Sequence, residues 1–212
     1  MCPVRVLERV ELSFRMAASD TDCVACCFLL SINEKRVTDR SIYKMNDVQE
    51  PFIIRKAMSA DAGQIAEIVV EDWKNAYRGI IDDEYLDSMS VEQRYQIELQ
   101  RYQKYMVAVN EKEVLGFSWN EIADNEDSDC EIVALYVRYG KRKSGIGRAL
   151  FQNAIDFFGA LGKKKMIIWC LKENDAARKF YEKMGGQAYK TSTHKWGNRE
   201  YDMISYLYRL DI

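Results

Sequence analysis

The residues most open to a chemical reading are Arg142-Lys143-Ser144-Gly145-Ile146-Gly147-Arg148. They follow the apolar run EIVALYV and open the amphipathic segment IGRALFQNAIDFFGALG. A loop between a strand and a helix presents unpaired backbone N–H groups and the positive end of the helix dipole, which together suit an anion. Gly145 and Gly147 let that anion come close, and Arg142, Lys143 and Arg148 add positive charge. The chemistry is therefore phosphate binding, in which the backbone N–H groups from Arg142 to Gly147, those of Ser144 and Ile146 included, form the cradle. A plain turn on a solvated basic surface is the other reading of the same residues.

Two familiar phosphate loops do not fit. A Walker A loop needs glycine five residues before its Gly-Lys pair, where Gly140-Lys141 has Leu135, and Arg142 follows the pair. A dinucleotide fingerprint needs glycine or alanine three residues after its second glycine, where Gly147 is followed by Leu150. The pattern Arg/Gln-x-x-Gly-x-Gly/Ala fits from Arg142 to Gly147. With NDAARKFYEKMGG downstream and WKNAYRGIIDDEYLDSMS upstream, the chain resembles the GNAT superfamily of N-acetyltransferases from about Phe52 to Leu210. It departs from that pattern at Tyr139, where many members have proline, and at Lys143, where many have glycine.

The resemblance implies acetyl-coenzyme A as cosubstrate, its pyrophosphate on the loop and its pantetheine arm beside the strand end Leu135, Tyr136 and Val137. It carries Asn174 and Ala177 into coenzyme binding, Asn174 through a hydrogen bond to the arm or the adjacent backbone, unless Asn174 is only a helix cap. It makes Tyr181 of FYEK the general acid that protonates the leaving thiolate, against the alternative of an amphipathic core tyrosine. An alkyl amine with pKa of about 10 is mostly protonated at neutral pH, so a base is useful. Glu131 and Glu121 are the candidates, Glu131 preferred because it opens the strand beside the cleft; a solvent-exposed strand end is the other reading of Glu131. Six carboxylates and no basic residue lie between residues 121 and 131. They either draw in a cationic amine acceptor or form a soluble loop. The acceptor's identity is open. The alternative function is a GNAT-fold module that binds coenzyme A as a sensor or scaffold without turnover, for which an acid at Tyr181 has no use.

The elements that must position these residues can be read from hydrophobic period. FIIR, YMVAV, VLGFSWNEI, EIVALYV, KMIIWCL and REYDMISYLYRL read as strands, with NEKE as a hairpin turn. EIVALYV is apolar enough for burial on both faces. Helices are expected over SADAGQIAEIVVEDWKNAY, capped by Ser59 or Asp61, over VEQRYQIELQRY, over the segment bearing Ile146, Leu150, Ala154, Phe157 and Leu161 and closed by Gly162, and over NDAARKFYEKMGG. The order implies an α/β (α+β) fold, a mixed sheet with helices packed on it, largely antiparallel by the family resemblance. One domain is expected over 51–212, with an extension of different character over 1–50. An exposed last strand would offer an edge to a second copy of the chain, giving a homodimer.

The chain has 212 residues, nearly half hydrophobic, with a formal charge of −2. That gives no overall attraction to nucleic acid or to an anionic membrane. Of its six cysteines, Cys2, Cys23, Cys26 and Cys27 crowd the start, with Cys130 and Cys170 in strands. A chain of this size needs no disulfide framework, so reduced thiols in a cytoplasmic protein are expected. CVACC has no second cysteine pair and the one histidine, His194, is distant, so no metal is expected. CVACCFLL is too short to span a bilayer, which takes about 20 residues. Met45 offers an internal start, and residues 1–44 are expected to be dispensable for catalysis.

Overall fold

The computed structural model describes residues 51–123 and 125–210. The expected extension over 1–50, with its four cysteines and Met45, lies outside the described residues, as does Asp124. The elements run β1 (Ile53–Lys56), α1 (Ala62–Ala76), α2 (Asp83–Ser88), α3 (Val91–Arg101), β2 (Tyr105–Val109), β3 (Val114–Ile122), β4 (Cys130–Val137), α4 (Ile146–Ala160), β5 (Lys165–Leu171), α5 (Asp175–Lys183), β6 (Gln187–Trp196) and β7 (Arg199–Arg209). The strands form one seven-stranded sheet in the order β1-β2-β3-β4-β5-β7-β6. All neighbours pair antiparallel except β4 with β5. This is the mixed, largely antiparallel sheet that the resemblance implied.

Helices cover both faces of the sheet. Successive strand residues point to opposite faces. On β4, Tyr136 meets Trp73 of α1, while Leu135 and Val137 pack with Ile146, Ala149 and Leu150 of α4. In α4 the buried side chains are Ile146, Ala149, Leu150, Phe151, Ala154 and Phe158. Phe157, expected on that stripe, is exposed. Phe158 takes the inward place because one further residue brings the stripe back over β5. Each buried Leu, Ile or Phe there contributes roughly 1.5–3 kcal/mol. Gly162 closes the helix as expected, its N–H donating to the Gly159 carbonyl at 2.8 Å.

Several expectations are corrected in detail. Asp61 does not cap α1 through its side chain; its carboxylate accepts from the Met58 N–H at 2.7 Å and from Arg55 at 2.7 and 2.9 Å. The last strand is not an edge: β7 lies between β5 and β6, so the free edge on that side belongs to β6. β6 has a polar, mostly exposed sequence with no apolar run to announce it. β4 is also less buried than its composition suggests, with only Cys130 and Ile132 fully covered. Its departure from β5 explains that exposure.

Candidate active site

The site starts from a bulge in β4. Trp119 of β3 pairs with Ala134, but the next residue, Asn120, pairs with Ile132, so Val133 is an extra residue on β4. A bulge bends the strand and adds local twist. β4 and β5 then pair at only three positions, Cys130↔Met166, Glu131↔Ile167 and Ile132↔Ile168. Past them β4 continues to Val137 beside β3, and β5 continues to Leu171 beside β7. Among the described residues the two strands share no further ladder. Alternate N–H and C=O groups of β4 beyond Ile132 thus face a gap rather than a neighbour.

The basic loop closes one end of that gap. Arg138 roots it: its N–H donates to the Leu115 carbonyl at 2.8 Å and its guanidinium to the Val114 carbonyl at 3.0 Å. The 3₁₀ turn Tyr139–Lys141 follows, and the Ser144 hydroxyl donates to the Lys141 carbonyl. Lys143 sits in the left-handed region at φ 62°, where a side chain is disfavoured, and Gly145 at φ 84° starts α4. This is why glycine suits position 143. The first helical bond runs from the Ala149 N–H to the Gly145 carbonyl at 2.9 Å. The N–H groups of Ile146, Gly147 and Arg148 therefore have no acceptor inside the helix. A Cβ at Gly147 would lie 3.4 Å from Val137 and 3.7 Å from the Phe180 ring, so the bare glycine edge faces the space between β4 and α5.

Ionisable side chains from four elements meet at the gap. Tyr181 of α5 is buried, and its carbonyl accepts from the Tyr208 hydroxyl at 2.8 Å and the Gly186 N–H at 2.9 Å. Burial pushes its phenol well above the ordinary tyrosine value, and Cys170, Tyr208, Tyr136 and Asp72 push the same way. Tyr77, at the end of α1, is raised likewise by burial and then by Tyr136, Asp72, Tyr181 and Cys170. The Tyr136 hydroxyl accepts from the Trp73 indole N–H at 2.9 Å, its ring stacks on Phe117, and burial pushes its phenol up to about 12. Asp72 of α1 is buried and ion-paired to Arg142 of the loop. Burial holds its carboxyl above the usual carboxylate value, although Arg142 pulls it down. These groups lie within electrostatic reach of one another in a poorly solvated space, the setting in which pKa values are tuned for proton transfer.

A family model described as the acetyltransferase (GNAT) family matches residues 65–186. The chain belongs to the GNAT acetyltransferase family. Over 125 residues it is 31% identical to YuaI of Bacillus subtilis strain 168, named an uncharacterized N-acetyltransferase, covering 57% of this chain and 72% of that one. The fold is similar to that of yncA from Salmonella typhimurium, solved with its cofactor acetyl-CoA, at a TM-score of 0.56 and 21% identity over 76% of this chain and 94% of that one. PaiA N-acetyltransferase from Thermoplasma acidophilum, in complex with coenzyme A, gives 0.55 and 22% over 72% and 97%.

The remaining expected site residues of this acetyltransferase fall as follows. Asn174 is the N-cap of α5, its side-chain oxygen accepting from the Ala177 N–H at 3.1 Å; Ala177 packs on the core beside Phe180. Glu131 lies on the three-residue paired stretch before the bulge, directly opposite Glu121. Lys104 bridges Glu121 at 3.1 Å, Lys190 bridges Asp127 at 2.6 Å, and Asp129 accepts from the N–H groups of Lys164 and Lys165. Three carboxylates of the acidic stretch thus tie neighbouring segments together. Cys130 and Cys170 are buried free thiols pushed up to about 12 by burial, so neither is a ready nucleophile.

Sequence reasoning missed Asp72, Trp73 and Tyr77 as site residues. For Asp72 a signal existed. Ile65, Ile68, Val69, Asp72 and Trp73 all lie on the buried stripe of α1, so a carboxylate occupies an apolar position. A charge placed there needs a partner, and the partner is Arg142 of the basic loop.

Proposed function

We propose that this acetyltransferase moves the acetyl group of acetyl-CoA to a primary amine by direct attack, with Tyr181 as general acid. The observation that carries the reading is the gap between β4 and β5 with an N–H-lined loop at one end and the Tyr181 phenol beside it. The residues present fit the coenzyme. The N–H groups from Arg142 to Arg148 suit the pyrophosphate, Gly147 leaves room where a side chain would intrude, and the β4 edge at Leu135, Tyr136 and Val137 suits an amide-bearing arm. When bound, acetyl-CoA supplies a thioester whose carbonyl carbon accepts the amine nitrogen as the carbon–sulfur bond breaks.

The chain's own residues do the rest. A backbone N–H on the β4 edge polarises the acyl oxygen. The Tyr181 hydroxyl, held protonated by burial, gives its proton to the departing sulfur and recovers one from the nitrogen. The amine's first proton goes to a carboxylate on the α1 face of the sheet, where Glu131 and Asp72 both lie. The test is thiol release from acetyl-CoA with a panel of primary amines. Wild type releases thiol only with an amine present, and Tyr181→Phe lowers kcat by about 10²–10⁴-fold with little change in coenzyme affinity. Less than tenfold loss would assign the proton to water, and coenzyme binding without any thiol release would make the chain a sensor or scaffold.

A further inference from the structure

Arg142 stands in two places at once. By position it is the first residue of the phosphate loop, yet its guanidinium is ion-paired to Asp72, a buried carboxylate on another element. A buried carboxylate is costly unless paired, and a cation that is its partner is less available to an incoming anion. The groups within electrostatic reach of Asp72 are Arg142 from the loop, Tyr136 from β4, Tyr181 from α5, Glu71 from its own helix and Tyr77 at that helix's end. Of these, Arg142 alone is a cation. Three phenols, those of Tyr77, Tyr136 and Tyr181, complete the surroundings.

We propose that Asp72 is a further catalytic residue, the carboxylate that pairs with the acceptor's ammonium, and that Arg142 occupies it until the coenzyme pyrophosphate draws the guanidinium away. This rests on the acetyl-transfer reading above. Phosphate and carboxylate compete for one guanidinium, and a bound pyrophosphate carries more charge than Asp72. Once that competition is lost, Asp72 is a buried anion among phenols, and a primary ammonium is the natural replacement counterion. Asp72 then takes one ammonium proton: an N–H bond breaks, an O–H bond forms, and the nitrogen keeps the lone pair it needs to attack. The proton later leaves to solvent. Coenzyme binding thus readies the acceptor site, which favours an order with coenzyme first. Glu131, five positions before Tyr136 along β4 and on the paired side of the bulge, is farther from this cluster than Asp72.

Because Asp72 loses its cation when coenzyme binds, its proton affinity rises, so binding must take up protons. Calorimetry of coenzyme A binding to the full chain, in buffers of different ionisation enthalpy between about pH 5 and 7, above the ordinary carboxylate range, reads that uptake directly. Wild type is expected to take up a fraction of a proton that Asp72→Asn does not, and Asp72→Asn is expected to bind coenzyme A threefold to tenfold more tightly, since nothing competes for Arg142. A merely structural Asp72 predicts weaker or equal binding and unchanged uptake, and either result overturns the proposal. If Asp72→Asn fails to fold, Arg142→Gln serves: its proton uptake must also vanish, and persistence overturns the proposal. With any amine that supports turnover, Asp72→Asn must lose the acid limb of kcat/KM; retention of that limb overturns the assignment of Asp72 to the acceptor. If wild type does not bind coenzyme A at all, it is the acetyl-transfer reading that fails.

Discussion

Replacing Lys143 separates backbone strain from charge at the basic loop proposed to hold the pyrophosphate. Lys143 sits at φ 62°, and a left-handed conformation costs an L-residue with a Cβ about 1–2 kcal/mol. Glycine escapes that cost but loses more backbone entropy on folding, about 0.5–1 kcal/mol. Lys143→Gly should therefore stabilise the fold by about 0.5–1 kcal/mol, while Lys143→Ala keeps the strain and gains nothing. For a folded unit of this size a gap of about 1 kcal/mol separates the two variants by about 2–4 °C in Tm. Lys143→Asn, with a side chain that tolerates the left-handed region, should fall between them. Both Gly and Ala remove the same exposed charge, so coenzyme A affinity should fall equally, by up to about fivefold. Thermal melts and calorimetric titration on the four proteins decide the matter. Equal melting temperatures for the Gly and Ala variants would refute the strain argument, and a loss of affinity in one variant alone would refute the separation of charge from backbone.

At Gly147, Gly147→Asp has room for its Cβ beside Val137 and Phe180 but directs a carboxylate at the N–H cradle; melting should hold while coenzyme A affinity drops more than tenfold, and unchanged affinity would remove the pyrophosphate from this loop. A Cβ at Gly186 would lie 2.5 Å from the Tyr208 hydroxyl and 2.9 Å from the Tyr181 carbonyl, so Gly186→Ala should break the bond between them. The expected cost is about 2–4 kcal/mol, read as a fall in Tm of roughly 5–15 °C, and a Tm within 2 °C of wild type, about the shift for 1 kcal/mol, would mean the loop yields freely. Burial raises Tyr77, Tyr136, Tyr181 and Tyr208 above the unfolded value of about 10, so the folded state holds protons that the unfolded chain gives up. Their contribution is whole below about pH 10 and is lost as pH rises through the folded values, Tyr136 at about 12 among them. Tyrosinate absorbance of this buried set should therefore appear together with loss of circular dichroism, and ionisation of all 13 tyrosines in an intact fold would contradict it.

Most elements were legible because their apolar period matches their burial. β2, β3, β5 and α4 carry core residues at the spacing each structure demands, and the turn at Asn110 announces itself through a side chain that accepts from the N–H groups of Lys112 and Glu113. β6 was illegible for the opposite reason. An edge strand supported on one side by β7 needs little apolar content, so QAYKTSTHKW resembles a loop. The loop from Arg142 to Arg148 was legible as a strand-to-helix turn because glycine spacing marks its backbone geometry, with Gly145 at φ 84°. The convergence of Asp72 and Tyr77 with Tyr136 and Tyr181 was not, because α1, β4 and α5 are far apart along the chain and only the fold brings their side chains within reach of one another.

The divergence of β4 from β5 also bears on the stability of the fold. Three paired positions make a short seam between two halves of a sheet, and the strand edges beyond it wait for hydrogen-bonding partners. An acyl donor held along those edges, as proposed above, would serve as a surrogate strand. A ligand that binds only the folded state adds about 2.7 kcal/mol at a hundred times its dissociation constant, against a typical total stability of 5–15 kcal/mol. On that proposal the fold gains stability from its own acyl donor and loses it when the donor is scarce.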